Sequence, residues 1–141
     1  MTLLLRLARL ERMERGLVAR ALVWLVASRI ALRVLPFRTA SAVLERIPRR
    51  IGYPCSPEKI RWALNACARR LPGTQCLAWA LACRSLLQQA GIPSRVRIGV
   101  AKGRERRFAA HAWVECSDFT MGWGDDERSY VILPAVLGPD V

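Results

Sequence analysis

The stretch Gly91-Ile92-Pro93-Ser94-Arg95-Val96-Arg97-Ile98-Gly99-Val100 decides the fold, because the hydrophobic period changes inside it. Before Gly91, apolar residues recur every three to four positions, the spacing of a buried helix face. From Arg95 onward they alternate: Val96, Ile98 and Val100 interleave with Arg95, Arg97 and Gly99, which predicts a half-buried strand. Residues 102–106 read as a polar turn around Gly103, and residues 108–116 as the returning strand. Two further short strands are expected over residues 119–123 and 129–133, on either side of the acidic turn Gly124-Asp125-Asp126. Helices first and an antiparallel sheet after them is the α+β pattern.

Upstream, Ser56-Pro57-Glu58 is a helix start: a hydroxyl N-cap, proline at the first helical position and an acid near the positive dipole end. Ile60, Ala63, Leu64, Cys67 and Leu71 then share one face, and Pro72-Gly73 ends the helix. Thr74 is read as the cap of the next helix, which runs to about Ala90 with a buried stripe of Leu77, Ala80, Leu81 and Leu87 and stops at Gly91. The first third of the chain reads as helical throughout, with no glycine after Gly16, and Pro36 stops one helix. A short second helix is expected from about Ala40 to Arg46, and residues 51–56 form a linker. The organisation predicted is an arginine-rich helical segment, 1–50, belonging to the same domain as a core over 51–141.

The 141 residues fit one compact domain, and at 52% hydrophobic the chain is no disordered tail. Its formal charge of +12 is nearly all arginine, since Lys59 and Lys102 are the two lysines. Residues 1–50 hold 11 arginines against three glutamates, which favours an acidic partner. Arg20 and Arg29 point to opposite sides of a helix, so a simple membrane-lying amphipathic helix describes the segment poorly. A helical pair with arginine stems over apolar surface is the favoured reading, and peripheral membrane contact the competing one. The eight apolar or small residues between Arg20 and Arg29 are too few to span a bilayer, and no secretory cleavage pattern is present. Five cysteines, an odd number with no C-x-x-C pair, point to a reducing compartment and to neither a disulfide framework nor a metal site.

Chemistry concentrates at three places. Cys76 lies in the first turn of its helix, where unpaired N–H groups and the helix dipole favour thiolate. A lone cysteine is more often a small core residue, and that reading competes. His111 is the single histidine of the chain and shares a strand face with Trp113 and Glu115 by alternation. An imidazole satisfied by a backbone carbonyl is its ordinary alternative. Asp125 and Asp126, with Asp118 nearer in sequence, could orient the imidazole, or simply make a solvated turn. Cysteine at a helix start, histidine on a later strand, then aspartate is the order of papain-like thiol enzymes.

Cys76-Leu77, Leu86-Leu87, Gly91-Ile92-Pro93, Arg97-Ile98-Gly99-Val100-Ala101-Lys102 and Phe108-Ala109-Ala110-His111-Ala112-Trp113-Val114-Glu115 closely resemble the transglutaminase-like cysteine peptidases of lasso-peptide biosynthesis. The helix ending in Leu35-Pro36-Phe37 also looks like that family. The resemblance implies a papain/transglutaminase-like α+β fold with a central nucleophile-bearing helix on a small antiparallel sheet. It implies Cys76 as nucleophile, His111 as general base and Asp125 as third member, with Asp126 its close competitor. It further implies removal of the leader from a ribosomally made precursor by a stand-alone peptidase half, in a bacterial cytoplasm, without metal or cofactor. Its partners would be the precursor peptide, a separate recognition protein and a lasso cyclase.

Two rivals stand beside this reading. One is a basic module binding nucleic acid or anionic membrane; charge favours it, but no nucleic-acid motif or stacking pattern does. The other is a transglutaminase or amidase of the same fold, separated from a peptidase by its acyl acceptor.

Overall fold

The computed structural model describes residues 11–46, 55–73, 76–102, 108–122 and 131–132. Helix α1 spans Arg12–Val34, α2 Phe37–Glu45, α3 Pro57–Ala68 and α4 Cys76–Gln89. Strands β1 (Arg95–Lys102), β2 (Phe108–Glu115), β3 (Thr120–Gly122) and β4 (Val131–Ile132) follow. The order of the antiparallel sheet is β3-β2-β1-β4. Helices before sheet is the α+β arrangement the sequence predicts.

Local signals explain most boundaries. The Ser56 hydroxyl accepts from the Lys59 N–H at 3.4 Å, with Pro57 at the first helical position of α3. α3 ends at Ala68, earlier than Pro72-Gly73, because the chain tightens: Arg70 and Leu71 both donate to the Cys67 carbonyl. α2 starts at Phe37, not Ala40, since Pro36 is extended and serves as its cap residue. At the end of α4, Gly91 takes φ +77°, Ile92 N–H bonds Leu87 O at 2.9 Å and Gly91 N–H bonds Gln88 O at 3.0 Å. Both bonds close a Schellman turn around a left-handed residue.

α4 is the centre of the molecule. Ala78 to Leu87 are all buried, so the helix is covered on every side and not on a single stripe. Leu77, expected in that stripe, is only partly buried. α1 and α3 pack on α4 from one side and the sheet, chiefly β2, from the other. Leu17, Ala21, Trp24 and Leu25 of α1 enter the same core as Val96, Ala112, Val114 and Met121 of the sheet. Trp79 of α4, fully buried, donates its indole N–H to the Asn65 amide oxygen of α3 at 3.0 Å.

The outward side of α1 also carries exposed apolar residues. Val23, Ile30 and Val34 stand 65%, 57% and 73% exposed. No helix among the described residues is long and apolar enough to cross a membrane.

Candidate active site

Cys76 is the first residue of α4 and is half-buried. Thr74, read as its cap, lies outside the described residues. All five cysteines are free thiols. Burial pushes the thiols of Cys55, Cys67, Cys83 and Cys116 above the ordinary cysteine value. For Cys55 the nearby Lys59 ammonium opposes this without reversing it, and for Cys67 the Arg70 guanidinium does the same. Cys83 is fully buried in α4. These four are poor nucleophiles, since the thiolate is the reactive form.

His111 sits inside β2, opposite Gly99 of β1. Val96, Ala112, Val114 and Met121 turn inward to the helices, so Arg95, Arg97, His111, Trp113 and Glu115 leave the sheet on its other face. There the imidazole stacks on the Trp113 indole, ring centroids 6.0 Å apart and planes at 24°. Trp113 in turn donates its N–H to Glu115 Oε1 at 3.3 Å. Arg97 Nε and Arg95 Nε donate to Glu115 Oε2 at 3.0 and 3.2 Å. Burial alone would raise the Glu115 carboxyl. The bonds from Arg97 and Trp113, the Arg97 charge and the Arg95 bond outweigh it, and the carboxyl is held below its usual range. Gly122 of β3 approaches the ring closely: a Cβ there would stand 3.3 Å from His111 Nε2.

The packing of α4 on β2 brings the thiol helix and the imidazole strand together. Among the described residues no hydrogen bond joins Cys76 Sγ to the His111 ring, which leaves β2 on the face away from α4. Asp118 is exposed in the β2–β3 turn, beyond Glu115 and so about 13 Å or more along the strand from His111. The chain leaves the sheet at Gly122 on one edge and returns at Val131 on the other. Asp125 and Asp126 belong to the stretch between and lie outside the described residues. Among the described residues no three His, Cys, Asp or Glu side chains gather as a metal site would require.

Beside the start of α4 lies a groove of about 170 Å³, lined by Arg29, Leu32 and Arg33 of α1, Gly73 of the preceding turn and Ala78 of α4. Neither charge nor motif in the sequence announces it. The available signal was the four-residue spacing of Arg29 and Arg33, which puts both on one helix face.

A family model described as the transglutaminase-like superfamily matches residues 22–133. That span takes in most of α1, all of α2 to α4 and the whole sheet. No curated protein and no solved structure matches the chain.

Proposed function

The chain belongs to the transglutaminase-like superfamily, and from that premise we propose that it is a cysteine peptidase that removes the leader from a ribosomally made lasso-peptide precursor. The observation that carries the reading is Cys76 at the start of the central helix, in a superfamily of typically cysteine-dependent enzymes, in a chain with one histidine. The Ala110-His111-Ala112-Trp113-Val114-Glu115 resemblance supports the finer specificity.

In this mechanism the Cys76 thiolate attacks the carbonyl at the leader–core junction. Collapse of the tetrahedral species breaks the C–N bond as the His111 imidazolium gives its proton to the departing amine. Water, deprotonated by the imidazole, then hydrolyses the thioester and frees the thiolate. The Cys76 backbone N–H is the natural oxyanion donor, and Asp125, or Asp126 beside it, orients the imidazole. For the partners, a lasso cyclase takes the freed core. A separate recognition protein has in its favour the uncovered apolar stripe Val23, Ile30 and Val34 of α1.

The reading requires sulfur and ring to meet, and catalytic contacts often tighten only on substrate binding. In this arrangement the ring must come round from the outer face of β2, so the pair itself is what the experiment has to detect. The chain is incubated with its cognate precursor and recognition protein, and cleavage is followed by mass. Cys76→Ala should abolish leader removal and Cys83→Ala retain most of it. Iodoacetamide should label Cys76 faster than Cys83 or Cys116, and His111→Ala should remove that advantage. Leader removal by Cys76→Ala would falsify the assignment, as would a labelling profile that ignores His111. Asp125→Asn and Asp126→Asn assayed side by side identify the third member.

The superfamily also admits acyl transfer to an amine in place of water. Incorporation of a labelled primary amine into the cleaved fragment, against simple hydrolysis, separates the two.

A further inference from the structure

We propose that the groove between α1 and the start of α4 is a subsite for a carboxylate-bearing side chain, an Asp or Glu of the peptide substrate near the scissile bond. The proposal rests on Cys76 being the reacting thiol. Arg29 and Arg33 stand one turn apart on α1, about 6 Å along its axis, and both line the groove. Among the described residues neither guanidinium pairs with a carboxylate, so two like charges face one hollow without a counter-ion.

Arg29 is also held in place. Its Nη2 donates to the Pro72 carbonyl at 2.9 Å, which uses one of five N–H donors and leaves the others for a ligand. Gly73, at φ +73°, makes the turn that presents that carbonyl. Leu32 and Ala78 supply apolar wall for the methylenes of an acidic side chain. Ala78 follows Cys76 by two residues, about 3 Å along the helix axis and about 160° round it, so a substrate side chain reaches this groove across the N-terminal end of α4. A fixed guanidinium, a second movable one and an apolar wall match a carboxylate on a short aliphatic stem better than any neutral group.

The test needs no knowledge of the substrate. Two alkylating probes of equal shape, the α-amides of N-iodoacetyl-glutamate and N-iodoacetyl-glutamine, are reacted with the whole chain at low salt. Modification of each cysteine is timed by peptide mass mapping. At Cys76 the glutamate probe should react about fivefold faster than the glutamine probe, the scale of a partly exposed ion pair. Cys55 and Cys116 report the pull of overall charge and should show a smaller ratio. Arg33→Gln, at an exposed position, should bring the Cys76 ratio down to theirs, while Arg38→Gln on α2 should not. Arg29→Gln should act in the same direction, and Arg33→Gln decides alone if loss of the bond to Pro72 disturbs the turn. A Cys76 ratio equal to that of Cys116, or one indifferent to Arg33→Gln, overturns the proposal. Failure of the nucleophile reading looks different: the neutral probe then modifies Cys76 no faster than Cys116, whatever the charge ratio.

Discussion

Glu115 is where three donors from three residues meet one carboxylate, and it anchors the indole on which His111 stacks. Its folded-state pKa lies below the ordinary value of 4.5, so it contributes stability in full above that value. The contribution is lost as pH falls through the lower folded-state value, where the native carboxylate is finally protonated. Glu115→Gln should therefore be less stable than the parent at pH 7, with the gap in urea midpoint closing as pH drops below about 4. A constant gap across pH 3–7 would assign the effect to packing. At this scale the sequence marks Cys76 and His111 as candidates by local signals: a helix start and a solitary imidazole. It was silent on the hold that Trp113 and Glu115 exert, since Arg95 and Arg97 come from another strand and only the β1–β2 register, Arg95 opposite Glu115, brings them there.

Elements carry their own punctuation. Ser56-Pro57 and Gly91 were readable because each acts through its own backbone; the end at Ala68 lacks such a residue, and the start at Phe37 was missed because Pro36, read as a stop, also caps α2. Gly91→Ala isolates the backbone effect: a Cβ there would meet nothing within 4 Å, so the cost is purely that of a left-handed alanine. It should lower stability by about 1–2 kcal/mol, measured by chemical denaturation, and Gly91→Asn by less. An alanine variant as stable as the parent would mean the Schellman turn has relaxed.

The whole molecule is organised by a helix with no wet side, which periodicity could not announce. A stripe presumes one solvent face, and α4 has none because α1, α3 and the sheet all converge on it. Small residues at Ala78, Ala80 and Ala82 let them approach. Leu25, fully buried in α1, belongs to this core, and Leu25→Ala should cost about 2–5 kcal/mol in equilibrium unfolding. A loss under 1 kcal/mol would mean that α1 docks loosely. Which face of β2 meets the helices is likewise a tertiary decision. Ala112 and Val114 are inward, yet Trp113 on the other face is just as apolar in sequence. Hence the residues of the candidate site were legible and their mutual placement was not.

The sheet's outermost strand covers little: β4 meets β1 only at Gly99 and Val100. Among the described residues, no strand borders the flank of β1 from Arg95 to Ile98, a row of amide and carbonyl groups open to a stray chain. Arg95 and Arg97, both ion-paired to Glu115 on the sheet's outer face, are the cationic side chains in that short run. Replacing Arg95 and Arg97 together by valine should turn a dispersed protein into one that scatters light and binds thioflavin within hours at micromolar concentration, a polymer grown edge to edge.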